Sequence, residues 1–293
     1  MAGESKTVRF RKVIRRLSRL VMAMLVLIIL YQGVRAYWVW KSTWGFQPKE
    51  MALAQYTPKD VVGDLGGMPV TIPRHMAELV EYNGDPGWSG KREGPIPERT
   101  HESKLKSFGI DFRYPDMATL SSPEMRQDKE SKTIYNTDWM GFGVSAGSSY
   151  PKDGWLERGA DTVVTGSGEY FWNKFAKLPD QQFGMDVYVL TEINPNTGQP
   201  ARYEDSIDAK DVFVAKNKQG RIIAYIRCVN VPHAAAPCSH DFSMEFDGMH
   251  AEVYIHYRRG HLKDWKDIQA KVTAMLLGFR VQAPAQESVK PNP

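Results

Sequence analysis

The segment AEVYIHYRR, residues 251–259, alternates apolar and polar side chains without a break. In an extended chain successive side chains point to opposite faces, so Ala251, Val253, Ile255 and Tyr257 share one face. Glu252, Tyr254, His256 and Arg258 share the other face. This pattern predicts a strand with one buried side and one polar side, as in an antiparallel sheet that is packed on one face.

Three further strands precede this segment and one helix follows it. The predicted strands cover residues 211–215, 221–229 and 238–246, and a turn that ends at Gly220 joins the first two. After the last strand, apolar residues recur every three or four positions, which predicts an amphipathic helix that ends near Gly278. The apolar positions are Leu262, Trp265, Ile268, Val272, Met275 and Leu276. This part of the chain therefore predicts a meander covered by a C-terminal helix.

The upstream part adds shorter elements of the same kinds. Strands are predicted at 70–73, 77–82, 108–114, 138–146 and 185–190, with a capped helix from Ser122 to Lys132 and an aromatic helix over Gly168–Lys177. The fold class is therefore α+β, with a mainly antiparallel sheet and a packed C-terminal helix. A break near residues 150–164 would divide the domain, residues 45–281, into two lobes. The tail, residues 282–293, contains three prolines and is expected to be disordered.

The N-terminus combines a basic arm, residues 1–19, with an apolar segment, residues 20–40. A helix of that length spans about 30 Å, the thickness of the bilayer hydrocarbon. Aromatic residues close the segment, as at a membrane interface. The positive-inside rule then predicts a single-pass anchor in a bacterial inner membrane, with a cytoplasmic N-terminus and a periplasmic main domain.

A cleaved signal peptide is the alternative for the same segment, because the stretch Leu20–Leu30 has the length of a signal core. Val34-Arg35-Ala36 would then be the cleavage site. Both interpretations export the main domain.

The exported part is mildly acidic, although the whole chain has a formal net charge of +4. Residues 1–44 hold nine Lys and Arg and one acidic residue, so 29 basic and 33 acidic residues remain, a net charge of −4. Without a basic stripe this domain is not expected to bind nucleic acid.

The chain has two cysteines, Cys228 and Cys238. Outside the cytoplasm a close pair of this kind predicts a disulfide. Zinc bound by these sulfurs with His233 and His240 is the alternative, but the spacing matches no common zinc template.

The candidates for a catalytic role are histidines, carboxylates and a glycine-rich turn. His250, Glu252 and His256 would share one strand face, where a metal or acid–base site is conceivable and a plain polar face is the simpler interpretation. Glu78 and Glu81 are expected on opposite strand faces, which argues against a carboxylate pair.

The Gly166–Gly168 turn lacks the residues of a phosphate loop or a nucleophile elbow. The acidic run Asp205, Asp208 and Asp211 lacks the residue order of an EF-hand, so it predicts a solvated edge. Neither a cofactor nor a metal is predicted, and binding is favoured over catalysis.

Two irregular, polar stretches are the predicted contact surfaces for a protein partner. The first is the loop Asn83–Arg99, which is dense in turn residues. The second is the acidic region Glu204–Asp211. The candidate binding residues are Trp88, Lys91, Arg92, Glu98, Arg99, Glu204, Asp205 and Asp208.

The layout resembles that of the membrane-anchored periplasmic immunity proteins encoded beside type VI secretion effectors, particularly those that oppose lipase-like toxins. The segments that carry the resemblance are TIPRH (71–75), GPIPER (94–99) and YIHYRRG (254–260). The resemblance implies a non-catalytic protein that binds a secreted toxin in the periplasm and blocks its active site. A structural component of an envelope or secretion complex is one alternative, and an exported hydrolase is another.

Overall fold

The computed structural model describes residues 19, 21–24, 26, 28–35, 59–87, 90–165, 175–191, 193, 196–198, 209–231, 233–246 and 248–281. The chain divides into two compact units, Met1–Ala54 and Gln55–Pro293. In the first unit the described residues are helical and exposed. Among the described residues, no helix has both the length and the apolar character needed to cross a membrane. The predicted anchor, part of which lies outside that description, is therefore not supported by the structure.

The second unit is built on one antiparallel sheet of ten strands, in the order β3-β4-β6-β12-β11-β10-β9-β8-β7, with β5 paired to β4. A separate hairpin is formed by β1 and β2. The strands are β1 (Val61–Leu65), β2 (Met68–Ile72), β3 (Ala77–Tyr82), β4 (Leu105–Arg113), β5 (Ala118–Thr119), β6 (Trp139–Ser145), β7 (Phe175–Lys177), β8 (Asp186–Leu190), β9 (Lys210–Lys216), β10 (Ile222–Val229), β11 (Pro237–Phe246) and β12 (Met249–Arg258). The predicted α+β class with a mainly antiparallel sheet is confirmed.

The helices of this unit are α1 (Pro123–Glu130), α2 (Trp155–Thr165) and α3 (Trp265–Gly278). Short 3-10 turns lie at Gly147–Ser149 and Arg259–Asp264. The predicted start of α1 is confirmed, because the Ser122 hydroxyl accepts a hydrogen bond from the Met125 amide and Pro123 opens the first turn. The C-terminal helix likewise ends at Gly278 as expected.

The first face of the sheet carries the main core. Along β12 the residues Ala251, Val253, Ile255 and Tyr257 are buried, as the alternation predicts. Helix α3 packs on this face through Trp265, Ile268, Val272 and Leu276, and the β1–β2 hairpin belongs to the same cluster. The chain after α3 returns along β2, because the Thr71 amide donates to the Phe279 carbonyl.

The second face is covered only in part by described elements. Helix α2 packs there through Leu156, Ala160 and Val163, against Tyr188, Val212, Val214 and Tyr225 of β8, β9 and β10. Helix α1 lies beside β4, where Lys129 pairs with Asp111. Between these helices, no described helix or strand crosses the middle of β3, β4, β6, β12 and β11, and we call this polar area of the sheet the open face.

The predicted helix Gly168–Lys177 is wrong over its last three residues. Phe175–Lys177, expected as the last turn of an aromatic helix, forms strand β7 paired with β8. The ladder to β8 supplies the backbone partners there, and pairing of this kind outweighs local propensity. Residues 168–174 of that predicted helix lie outside the described residues.

The predicted disulfide is confirmed between Cys228 and Cys238, which are direct partners across β10 and β11. Both residues are buried in the core. Since the two sulfurs are bonded to each other, the zinc alternative is excluded.

Candidate functional site

The loop Asn83–Arg99 is tied together by the carboxylate of Asp85, whose side chain is 13% exposed. One Asp85 oxygen accepts hydrogen bonds from Arg92, at 2.6 Å, and from Arg99, at 2.5 Å. The other oxygen accepts from the Tyr82 amide, at 3.1 Å. Burial alone would raise the pKa of Asp85, but these hydrogen bonds outweigh it and hold the pKa below its ordinary value. The Asp85 carboxylate therefore holds the two ends of the loop together, through its hydrogen bond from Arg99.

The base of this loop is also fixed to the rest of the unit. The guanidinium of Arg99 lies 4.2 Å from the ring centre of Tyr82, a cation–π contact. The Tyr82 hydroxyl donates to the Val62 carbonyl, at 2.7 Å, in the β1–β2 hairpin. Tyr82 thus connects the loop, the edge strand β3 and the hairpin.

Beside the loop is a cleft of about 590 Å³. Its walls combine apolar side chains, Val62, Val80 and Ile96, with the charged groups Arg92, Glu98 and Arg99. Ile96 is 76% exposed, so a large apolar side chain stands in solvent at the cleft. A preformed cleft with an exposed apolar group and several charges suits a protein partner.

The predicted binding residues divide into three groups. Arg92, Glu98 and Arg99 line the cleft, and Lys91 is exposed on the same loop. Arg92 and Arg99 are committed to Asp85, so they shape the loop more than they offer free charge. Trp88, Glu204, Asp205 and Asp208 lie outside the described residues.

One residue of the predicted acidic edge is placed differently from the expectation. Asp211 is 8% exposed and pairs with Arg259 at 2.5 Å, so it is not part of a solvated edge. The correction follows from topology, because Asp211 lies on the inner strand β9 and faces a cation that is distant in sequence.

The open area of the second sheet face was not predicted as a site. Its register brings Glu78, Gly109, Gly143 and Tyr254 side by side on β3, β4, β6 and β12. The adjacent rows contain Ser107 with Ser145 and Glu252, and Asp111 with Gly141 and His256. Because three of these positions are glycine, the middle of the face carries few side chains.

The expectation that Glu78 and Glu81 lie on opposite faces is wrong. Their partners on β4, Gly109 and Ser107, are two residues apart and share one face. The register shifts between Glu78 and Glu81, at a bulge that contains Leu79 with a φ of 52°. A bulge inserts an extra residue and reverses the alternation after it, so both carboxylates reach the open face.

The same face carries the predicted His250, Glu252 and His256, and the prediction that they share it is confirmed by the extended strand β12. His250 and His256 cannot belong to one site, because six residues of strand separate the two rings by about 20 Å. His250 bonds instead to Asp153, at 2.9 Å, while His256 lies near the Tyr254 ring. Among the described residues, no group of three His, Cys, Asp or Glu could hold a metal ion.

The chain is similar in structure to a solved immunity protein, at low sequence identity. No family model matches the chain, and no curated protein matches it. Among solved structures, Smlt3025, an immunity protein of the Stenotrophomonas maltophilia type IV secretion system, aligns with a TM-score of 0.48 and 18% identity. The alignment covers 78% of this chain and 95% of that chain. At that level of similarity, nothing about Smlt3025 is transferred to this protein.

Proposed function

We propose that this chain is a toxin-neutralising immunity protein, which binds a secreted toxin as a protein partner. The observation that carries the proposal is the fixed loop Asn83–Arg99, which holds Ile96 in solvent beside a preformed cleft. The hydrogen bonds from Arg92 and Arg99 to Asp85 restrain the loop, so ordering it on binding costs less conformational freedom. An exposed apolar side chain such as that of Ile96 can then act as an anchor at a protein interface.

The finer part of the proposal concerns the toxin and the location. The sequence layout supports a lipase-like type VI effector as the toxin and a periplasmic position held by an N-terminal inner-membrane anchor. A domain tethered beside the membrane would meet a lipid-cleaving toxin where that toxin acts.

The test begins with crosslinking and capture of the tagged full-length chain in its own cells. A dominant exported enzyme among the captured proteins is then produced in the periplasm of test cells, alone and together with the chain. We expect that enzyme to stop growth and the full-length chain to restore it. A captured enzyme that is harmless in the periplasm would contradict the proposal, and capture of envelope or secretion components instead would favour the structural alternative.

The contact surface is tested with matched variants. Ile96→Asp places a charge at the cleft, and we expect it to weaken toxin binding by about 30-fold or more, because a buried anchor contributes at least about 2 kcal/mol. Ile134→Asp is the control, since Ile134 is 60% exposed in a different loop. Equal protection by both variants would exclude the cleft as the contact surface.

A hydrolase is tested separately through His256→Ala and Glu252→Ala. If the chain acts by binding through the cleft, both variants are expected to retain protection when the fold is intact, because Glu252 and His256 lie on β12 and do not line the cleft. A loss of turnover on a lipid or peptidoglycan substrate would instead favour the enzyme alternative.

A further inference from the structure

The cleft beside the loop Asn83–Arg99 contains two arginines that share one carboxylate. Arg92 and Arg99 both donate to the same oxygen of Asp85, so their two donor nitrogens lie within about 5 Å of each other. All three side chains line the cleft, and each is partly buried. Two cations at this distance repel each other, and an anion beside them offsets the repulsion.

One carboxylate does not neutralise both guanidinium groups. Asp85 is ionised near neutral pH, because its hydrogen bonds hold its pKa below the ordinary value. Since an arginine side chain is always protonated, the group of three carries a net charge of +1. Asp60 and Glu98 also line the cleft, but within the described part of the chain neither forms an ion pair with Arg92 or Arg99. A second anion would therefore balance the charge of this group.

Both guanidinium groups also retain hydrogen-bond donors. A guanidinium carries five N–H bonds, and each arginine binds Asp85 through its Nη2 atom alone. Among the described residues, no other acceptor binds the side chain of Arg92 or Arg99, although one face of Arg99 lies against the Tyr82 ring. The Nε and Nη1 groups are thus available to an acceptor that enters the cleft, and a carboxylate is the acceptor whose two oxygens match a guanidinium.

An apolar surface lies next to these donors. Val62, Val80 and Ile96 line the same cleft, and Ile96 is largely exposed. The cleft volume of about 590 Å³ is within the range of pockets that bind small molecules, so a short stretch of chain can enter it. The cleft therefore offers positive charge and apolar contact side by side.

We propose that the cleft receives an aspartate or glutamate side chain of the toxin, together with an apolar residue beside it. The carboxylate accepts hydrogen bonds from Arg92 and Arg99, and the apolar residue packs against Ile96. Two anions then lie beside two cations, which removes the net charge of the group. The inference rests on the proposed function, because it names the chemistry of the toxin surface that the cleft recognises.

The test uses short peptides as probes and does not need the toxin. The full-length chain, labelled with ¹⁵N-arginine and held in detergent micelles, is titrated with acetyl-Leu-Glu-Leu-amide and with the neutral acetyl-Leu-Gln-Leu-amide. We expect saturable shifts of the Nε–H signals of Arg92 and Arg99. The affinity for the glutamate peptide should be at least about tenfold higher, because a hydrogen bond between charged groups contributes more than about 1.4 kcal/mol. Equal affinity for both peptides, or shifts only at other arginines, would overturn the proposal.

Inorganic phosphate distinguishes a carboxylate from a phosphate group as the occupant. We expect phosphate to shift the signals of Arg92 and Arg99 only at higher concentration than the glutamate peptide, because phosphate has no apolar part to contact Ile96. If phosphate shifts them at a lower concentration than the peptide, the cleft binds a phosphate group, and an acidic side chain is the wrong occupant.

Matched variants separate recognition of the charge from a change in the loop. Arg92→Gln removes one of the two cations, and we expect the ratio of the two peptide affinities to fall about threefold or more. Arg280→Gln changes an exposed arginine elsewhere and should leave the ratio unchanged. A change that only loosens the loop would weaken both peptides equally and preserve the ratio. An unchanged ratio in Arg92→Gln would therefore contradict the proposal.

Failure here is distinguishable from failure of the proposed function. If the two peptides bind equally, but the chain neutralises its toxin and Ile96→Asp abolishes that protection, the cleft is the contact surface without an acidic anchor. The proposed function then stands and this inference is wrong. If the glutamate peptide is preferred but no exported enzyme is neutralised, the cleft recognises an acidic segment of another class of protein.

Discussion

At the scale of single residues, Asp85 determines the shape of the predicted contact loop. Asp85→Asn keeps the side-chain size but removes the charge that holds Arg92 and Arg99. We expect a loss of about 1.5–3 kcal/mol in the free energy of unfolding, the usual range for hydrogen bonds to a charged group. Amide hydrogen exchange in residues 83–99 should also become faster, and urea unfolding with exchange measurements tests both.

The pH dependence of this contact has a definite sign. Because the folded-state pKa of Asp85 lies below its ordinary value of 3.8, its stabilisation is complete above that value and is lost as the pH falls through the folded-state pKa. Asp180→Asn changes an exposed carboxylate and serves as the control. Unchanged exchange of the loop in Asp85→Asn would show that Arg92 and Arg99 are held by other contacts.

Residue roles could be predicted only where they depend on neighbours in sequence. The loop Asn83–Arg99 was identified from its turn composition. The hydrogen bonds from Arg92 and Arg99 to Asp85 could not be predicted, because these residues are seven and fourteen positions from Asp85 and meet only in the folded loop. The shared face of Glu78 and Glu81 was missed because a bulge leaves no clear signature in the sequence.

At the scale of elements, the paired glycines Gly109 and Gly143 of β4 and β6 should respond differently to substitution. A methyl group at Gly143 would lie 2.0 Å from the Tyr254 ring, so Gly143→Ala must displace that ring. We expect a cost of about 1–3 kcal/mol, typical of overpacking. Gly109→Ala meets only ordinary contacts and should be neutral or slightly stabilising. Urea unfolding of both variants measures the difference.

The displaced ring can be identified by a second substitution. If Tyr254 causes the cost of Gly143→Ala, adding Tyr254→Ala should recover most of it, and the two changes should be strongly non-additive. Additive costs in this double-mutant cycle would mean that Gly143 is required for the backbone and not for the ring.

Elements were predictable where periodicity is long and uninterrupted. The nine-residue alternation around β12 and the apolar face of α3 gave correct elements, because each pattern extends over several turns or pleats. Helix α2 was missed, and the same segment was considered as a break between lobes. Its signal, Leu156, Ala160 and Val163 at helical spacing, was present but is interrupted by Gly159.

At the scale of the whole molecule, His240 joins the sheet to α3. The buried ring donates from Nε2 to the Gln269 side-chain oxygen, at 3.1 Å, and Nδ1 accepts from the Tyr257 hydroxyl, at 3.3 Å. The Gln269 amide donates in turn to the Ile223 carbonyl, at 3.1 Å, which fixes its orientation. This network requires a neutral imidazole, because a protonated Nδ1 could not accept from Tyr257. The joint between sheet and helix therefore depends on proton concentration.

Burial lowers the pKa of His240 from 6.5 to about 4, so acid should destabilise the whole unit. Between those values the unfolded chain binds a proton that the folded chain does not, and stability, complete above pH 6.5, falls until about pH 4. The shift corresponds to about 3 kcal/mol. Urea unfolding at several pH values between 7.5 and 4 measures it. His240→Gln should have a lower free energy of unfolding at pH 7.5, and its stability should no longer fall between pH 6.5 and 4. The control His256→Gln changes an exposed histidine and should keep the pH dependence of the unchanged chain. If the stability of His240→Gln still falls with pH as in the unchanged chain, another titrating group causes the acid destabilisation.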